Sequence, residues 1–314
     1  MKLSIITPVY NRADCIARCL DSVASQSEGL SDFEHVVVDD GSTDGTRDIV
    51  AKFAASHPYV RPIFFDRNKG TNAARNAAIK AAKGDFCVFL DSDDYFLPDA
   101  IETILTLIAE RTDYRYFMLT IGYRQEFFDG LYGKDAEIEY RYEDVLSGKM
   151  NGDYVHVMPR DVMLKYPFDE KLRIYESLIL MQLYRTVGRM LFVNRPAVCV
   201  ELNRSDSVSL QTVRINDEVI GRQLQASLKE LELFGSDYET HGLIDKKEAI
   251  YGKIVDNALL IGDYGLAGRY IPHVKGSKKV FFTIVSRLHL APLYKKALQI
   301  YLRKKYSYSD VVKS

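Results

Sequence analysis

The chain has 314 residues, 47% of them hydrophobic and 27% charged, as expected of a globular protein with a sizeable core. Lys+Arg number 42 and Asp+Glu 43, so a net charge of −1 excludes nucleic-acid binding driven by the charge of the whole molecule. No apolar run approaches the roughly 20 residues of a membrane-spanning helix, and Cys15, Cys19, Cys87 and Cys199 have the spacing of neither a disulfide scaffold nor a zinc site.

From the N-terminus, Met1 to Ile6 is a short apolar burst that meets Pro8 at once, too brief for a secretory signal. With so few cysteines, the chain reads as cytoplasmic with reduced thiols. Leu3 to Thr7 is a β-branched run ended by proline, hence a strand. Ile16, Leu20 and Val23 repeat at helical spacing, predicting a helix over Asp14 to Ser25 with Asp14 as N-cap. His35 to Val38 is a second strand, running into Asp39-Asp40-Gly41-Ser42. A helix follows over Thr46 to Ser56, with Thr43 or Asp44 as N-cap. Arg61 to Phe65 is a third strand, and the alanine-rich Thr71 to Ala82 a helix. Phe86 to Leu90 is wholly apolar, as in the middle of a buried parallel sheet. Asp99 to Glu110 is again an amphipathic helix. From Asp113 to Asn151 the pattern weakens to one strand around Tyr116 to Ile121, with loops beyond. Tyr154 to Pro159 reads as a strand, Glu176 to Val187 as a helix, and Met190 to Val193 and Ala197 to Glu201 as two short strands. From Asn216 onward the period is helical. The Ser/Asp-rich stretch before it places a boundary near residue 210, giving domains 1–210 and 211–314.

Alternating strands and helices imply an open α/β sheet with right-handed crossovers, whose ligands sit beyond the carboxyl ends of the strands. Those ends carry Pro8-Val9-Tyr10-Asn11, Asp39-Asp40, Asp66-Arg67-Asn68-Lys69-Gly70 and Asp91-Ser92-Asp93-Asp94. Three of the four bear acids that would converge on one rim. Asp91-Ser92-Asp93 is a D-x-D at a turn, where both carboxylates can face one site. Hard oxygen ligands suit Mg²⁺ or Mn²⁺ bound partly through substrate phosphates. A solvated acidic turn capping the next helix is the competing reading. Neither G-x-x-x-x-G-K-[ST] nor G-x-G-x-x-G occurs, which argues against a P-loop and a dinucleotide site.

Thr7-Pro8-Val9-Tyr10-Asn11-Arg12, Val38-Asp39-Asp40-Gly41-Ser42-Thr43-Asp44-Gly45-Thr46, Asn68-Lys69-Gly70 with Ala74-Arg75-Asn76, and Phe89-Leu90-Asp91-Ser92-Asp93-Asp94 occur in the order and spacing of glycosyltransferase family 2. The chain resembles that family strongly over residues 1 to about 110 and more weakly to about 205. The resemblance implies a GT-A fold, a mixed sheet flanked by helices, here with a helical C-terminal extension. It also implies a divalent metal, Mn²⁺ or Mg²⁺, and inversion at the anomeric carbon. By the same resemblance Pro8 and Tyr10 would flank the uridine. Asp40 would meet the uracil edge with Asp39 close by, and Asp91 and Ser92 would face the nucleotide. Asp93 would bind the metal, and Arg75 would reach the phosphates or brace the acidic loop.

The family's general base usually lies in a Glu-Asp pair after a Phe-Asp-Glu-x-Leu stretch. Phe168-Asp169-Glu170-Lys171-Leu172 is present, but the pair is Glu176-Ser177. Either Glu176 is the base, one residue shifted, or Ser177 stands there and the base is lost; Glu176 is preferred. The competing role for Glu176 is support of a helix N-terminus. Arg204, in the stretch Leu202 to Ser209, would neutralise a leaving diphosphate if that loop closes over the donor, and a surface linker is the alternative. None of the six histidines has a partner at metal-ligand spacing, though His156 precedes the Glu176 region.

Lys275 to Lys305 holds nine Lys/Arg and no acid. Helical spacing puts Tyr294, Ala297, Leu298 and Tyr301 on one face and Lys295, Lys296, Gln299 and Arg303 opposite, the pattern of a basic amphipathic helix on an anionic membrane. A helix packed on its own domain is the alternative. The sequence therefore predicts an inverting, metal-dependent glycosyltransferase. It would take a UDP-sugar donor and a glycan or lipid-linked acceptor, sit at the inner face of a membrane in surface-polysaccharide synthesis, and have no nucleic-acid partner. A nucleotidyltransferase, or a nucleotide-binding subunit inactive through loss of the base, are the other readings.

Overall fold

The computed structural model describes residues 1–150, 152–172, 175–201 and 216–305, with 303–305 described by backbone alone. The chain divides into two units, Met1–Asn203 and Arg204–Ser314. The expected boundary near 210 and the segment with Arg204 lie outside the described residues.

The first unit opens with β1 (Leu3–Val9), α1 (Ile16–Ala24), β2 (Phe33–Asp39), α2 (Thr46–Ser56), β3 (Val60–Phe64), α3 (Thr71–Ala81) and β4 (Phe86–Phe89). It continues with the short β5 (Tyr95–Phe96) and α4 (Ala100–Glu110). Then come β6 (Phe117–Ile121), a 3₁₀ turn at Gly122–Arg124, α5 (Gln125–Tyr132), β7 (Glu137–Arg141) and α6 (Tyr142–Ser147). It closes with β8 (Val155–Pro159), α7 (Arg160–Met163), α8 (Ser177–Val187) and β9 (Arg189–Cys199).

These strands form a mixed sheet in the order β3-β2-β1-β4-β8-β6-β9-β5, with β7 also on β9. The first four are mutually parallel, β8 is antiparallel between β4 and β6, and β9 is parallel to β6. The carboxyl ends of β1, β2, β4, β6 and β9 therefore share one edge. Leu3, Ile5 and Val9 of β1 point to one face and meet Ile16 and Leu20 of α1, Val50 of α2 and Ile101 and Ile104 of α4 in one buried cluster. The alanines of α3 (Ala73, Ala74 and Ala78, all buried) bring that helix close to β1 and β2.

Several local expectations need correction. The N-cap of α1 is Cys15, with no side-chain bond, rather than Asp14. That of α2 is Gly45 at φ 96, although Asp44 Oδ1 still accepts the Thr46 N–H. The expected loops after β6 hold α5, β7 and α6. The two short strands are one, β9. Pro196 falls opposite Thr120, where the β6–β9 register shifts, so a residue without an N–H is tolerated there.

The second unit is helical: α9 (Asp217–Thr240), α10 (Ile244–Leu260), α11 (Tyr264–Tyr270), α12 (Gly276–Arg287) and α13 (Ala291–Lys305). The basic tail is thus two helices, broken where His289 takes φ 53. Phe282, Val285 and Ala291 are buried. Tyr294 is half-buried, donates to Asp256 (2.5 Å) and packs edge-on against Phe281, while Lys295 pairs with Asp217. The two faces expected of the tail do not separate inside from outside: Tyr294 and Lys295 are adjacent and both bind within the unit. No helix among the described residues is long and apolar enough to cross a membrane.

Candidate active site

The loops after β1 and β2 are laced together. Asn11, at φ 48, donates its N–H to Ser42 Oγ (2.9 Å), and its Oδ1 accepts the Thr43 N–H (2.9 Å). The Arg12 N–H donates to Thr46 Oγ1 (2.8 Å) and the Ala13 N–H to Asp44 Oδ2 (3.0 Å). Pro8 is buried in β1 opposite Val38, and Tyr10 just beyond it is exposed. Gly41 has φ 74, and a Cβ there would fall 2.5 Å from the Arg67 carbonyl carbon, so only glycine lets the exit of β2 pass the loop after β3.

Asp40 ties that loop down: its carboxylate accepts the N–H groups of Lys69 (2.6 Å) and Gly70 (2.8 Å). Asp39 is fully buried. Its Oδ2 accepts the Ser42 N–H at 3.3 Å, while Oδ1 is buried with no hydrogen-bond partner. Of the two acids, Asp40 holds backbone and Asp39 has the unsatisfied oxygen.

Past Gly70, α3 presents Asn72, Arg75 and Asn76 on one face, as i, i+3 and i+4 spacing requires. Asn72 Nδ2 donates to the Asp169 carbonyl (2.8 Å). Asn76 donates to the Phe168 carbonyl (2.9 Å) and accepts its N–H (2.8 Å), so Phe168-Asp169-Glu170 is fixed to α3. Between them, the Arg75 guanidinium donates to Glu176 Oε1 (2.9 Å) and Asp91 Oδ1 (3.3 Å). It stacks near the rings of Phe89 (5.1 Å) and Phe168 (5.6 Å), and its side chain is only 13% exposed. A guanidinium stacked on aromatics and paired with two acids is a rigid fork.

After β4 the acids form a turn, with the Asp94 N–H on the Asp91 carbonyl (3.0 Å). Ser92 is buried and its carbonyl accepts from Cys15 Sγ. Arg18, over the Tyr95 ring, donates to the Asp93 carbonyl (2.7 Å) and pairs with Glu201. The Glu201 N–H donates in turn to Asp94 Oδ1 (3.0 Å). Burial first, and then the charge of Asp91, push the Asp94 carboxyl up to about 7. A turn that crowds three carboxylates together would suit a hard divalent cation. Among the described residues no three His, Cys, Asp or Glu side chains form a metal cage, so any such ion would draw further ligands from phosphate or water.

Glu176 stands at the N-cap of α8, its carbonyl accepting the Ile179 and Leu180 N–H groups. The structure thus joins Glu176, Arg75 and Asp91 in one chain of ion pairs, and sets Asp39 and Asp40 on the same edge at the end of β2, across β1 from β4. The sequence reading names neither Asn72 nor Arg18, and it quotes Asn76 and Asp94 within motifs without giving them a role. The two asparagines four apart in an alanine-rich helix were the available signal. His156 is a structural residue: it sits among Tyr116, Tyr154 and Tyr184, and burial lowers its pKa to about 4. All four thiols are free.

Residues 4–159 match the glycosyl transferase family 2 model. A putative glycosyltransferase of Bacillus subtilis, EpsH, is 30% identical over 54% of this chain, which spans only 44% of that protein's length. The GalNAc(5)-diNAcBac-PP-undecaprenol beta-1,3-glucosyltransferase of Campylobacter jejuni is 27% identical over 82% of this chain and 84% of its own. Among solved structures, residues 1–349 of S. aureus TarS superpose with a TM-score of 0.64 at 19% identity, over 98% of this chain and 93% of that one. The same TarS fragment has been solved with UDP-GlcNAc, at a TM-score of 0.62. The sheet order, the acid-lined rim and these likenesses agree: through residues 4–159 the chain belongs to glycosyltransferase family 2, with a GT-A fold.

Proposed function

We propose that the chain is an inverting glycosyltransferase that moves a sugar from a UDP-sugar to a hydroxyl of a glycan or lipid-linked acceptor in surface-polysaccharide synthesis. The observation that carries this is the Arg75 fork, which joins a donor-rim acid, Asp91, to a carboxylate in the acceptor half, Glu176. Tyr10 and Pro8 flank the base, and the unsatisfied Asp39 Oδ1 is the acceptor for its N–H, with Asp40 shaping the loop beneath. Asp93, beside Asp91 and Ser92, would hold Mn²⁺ or Mg²⁺, whose charge would stabilise the departing diphosphate. The acceptor oxygen attacks the anomeric carbon as the bond to the diphosphate oxygen breaks on the opposite face. Glu176 Oε2, the oxygen not bonded to Arg75, takes the hydroxyl proton. The donor choice is supported by the TarS complex with UDP-GlcNAc, and the lipid-linked acceptor by the Campylobacter relative's name.

The test is calorimetry of UDP with and without Mn²⁺. Tight, metal-dependent binding by the wild-type chain that Asp93→Asn weakens and uncouples from metal is the expected result. Unchanged affinity and metal dependence in that variant would remove Asp93 from the site.

The second unit supports attachment to an anionic membrane surface. Val280, Ile284, Leu288, Leu293 and Ile300 remain exposed beside the exposed Lys278, Lys279, Arg287 and Lys296, with no acid from 275 to 305. Apolar side chains among cations are the composition of a helix surface lying in a lipid interface.

A further inference from the structure

The 3₁₀ turn and α5 follow directly from the carboxyl end of β6, on the same edge as the acid loops. Gly122 lies there against Leu97 and Cys199: a Cβ at that position would meet the Leu97 side chain at 3.4 Å and the Cys199 Cα at 3.9 Å. The helix is held firmly from within. Phe128 is fully buried against Tyr154 and Phe192. Gln125 donates to Asp129 (2.6 Å) and accepts from Thr120, and Asn194 donates to Asp129 (3.0 Å). With that face satisfied, the opposite one ought to be polar. Instead Tyr123, Phe127 and Leu131, each four residues apart, are 49%, 56% and 55% exposed.

Polar groups border this stripe. The Tyr123 hydroxyl donates to Asp153 (3.4 Å), and Arg124 lies 3.9 Å from the same carboxylate and over the Phe127 ring. Partial burial raises the pKa of Tyr123, as does the charge of Asp153, so the hydroxyl keeps its proton as a donor. Exposed rings flanked by a carboxylate and a guanidinium suit a pyranose: its C–H face packs on an aromatic ring while its hydroxyls bond the polar rim. A lipid tail would leave Asp153 and Arg124 without a role. From Tyr123 to Leu131 the stripe runs roughly 12 Å, enough for a short oligosaccharide.

We propose that Tyr123, Phe127 and Leu131 form the platform for the saccharide part of the acceptor, with Asp153 and Arg124 bonding its hydroxyls. This rests on the glycosyltransferase reading and adds to it where the acceptor lies. The chain has no tryptophan, so Phe127→Trp makes a single-tryptophan reporter on an exposed face. Its emission is titrated with maltotriose, cellotriose and triacetylchitotriose, with phosphatidylcholine vesicles and with the protein itself. A saturable change with a trisaccharide, weakened about three- to tenfold by adding Tyr123→Ala, is the expected result. No response to any trisaccharide at millimolar concentration overturns the proposal. So does a blue shift produced by vesicles, or by raised protein concentration. UDP calorimetry on the same reporter separates the two readings. Lost UDP binding counts against the donor site, and intact UDP binding with a silent tryptophan counts against the platform alone.

Discussion

Glu176 is the residue on which the proposed base catalysis turns. Its neighbour Ser177 replaces the second acid expected at this position, yet Glu176 is the side chain that the Arg75 fork grasps, 101 positions away in sequence. Glu176→Gln keeps the shape and a hydrogen bond to Arg75 but cannot take a proton. Turnover measured by UDP release should fall by about 10²–10⁴, with UDP affinity little changed. Near-normal turnover would make Glu176 a structural partner of Arg75. At this scale the sequence disclosed the types of residue and their strand ends, because a D-x-D or an Asp-Asp after an apolar strand is a local pattern. It did not disclose which partners they take. That Asp40 caps Lys69 and Gly70 while Asp39 keeps an unsatisfied oxygen follows from how the loop after β3 folds back, which no local pattern records.

Among the elements, β1 to β4 and α1 to α4 were legible because each carries its own period and is bounded by its own turns. The stretch holding α5, β7 and α6 was not. Phe127 and Phe128 are adjacent and chemically alike, yet one is exposed and the other fully buried on Phe192 of β9, a choice made by a strand 64 positions on. β9 itself serves β6, β7 and β5, and by local pattern it reads as two strands either side of Asn194-Arg195-Pro196 because the bulge opposite Thr120 is a property of the pair. β2 carries a consequence for stability. His35 is fully buried, its Nε2 lies 2.9 Å from the Thr7 hydroxyl, and burial depresses its pKa to about 3. The unfolded chain, with the ordinary value near 6.5, binds a proton that the folded chain refuses. Stability is therefore whole above pH 6.5 and falls as the pH drops toward 3, by up to about 1.4 kcal/mol per unit from this group. Urea unfolding of wild type and His35→Leu at pH 7 and pH 5 should show a gap that narrows by about 2 kcal/mol on acidification. A constant gap would mean that His35 does not titrate in this way.

For the molecule as a whole, the proposed membrane attachment would use a surface that also packs on its own unit. Deleting α12 and α13 would strip Phe282, Val285 and Ala291 from the core, so truncation confuses unfolding with release. Reversing the exposed cations, Lys278, Lys279, Arg287 and Lys296 to Glu, leaves that core alone. The wild-type chain should sediment with phosphatidylglycerol vesicles at low salt and release at high salt, because the attraction falls off within a Debye length. The reversed variant should stay in the supernatant with an unchanged melting temperature. Equal partitioning of the two would rule the membrane surface out.

The Arg75 fork has a kinetic meaning. If a diphosphate binds next to Asp91 as proposed, one guanidinium already divided between two carboxylates would meet a third anion, and its hold on Glu176 would loosen. On the proposed reading, Glu176 would be released toward the acceptor only in the chain that already carries its donor. Initial-rate analysis should accordingly give an ordered mechanism, donor first and UDP last to leave, with UDP competitive against the donor alone. A random order would show that Glu176 is free of Arg75 before the donor binds.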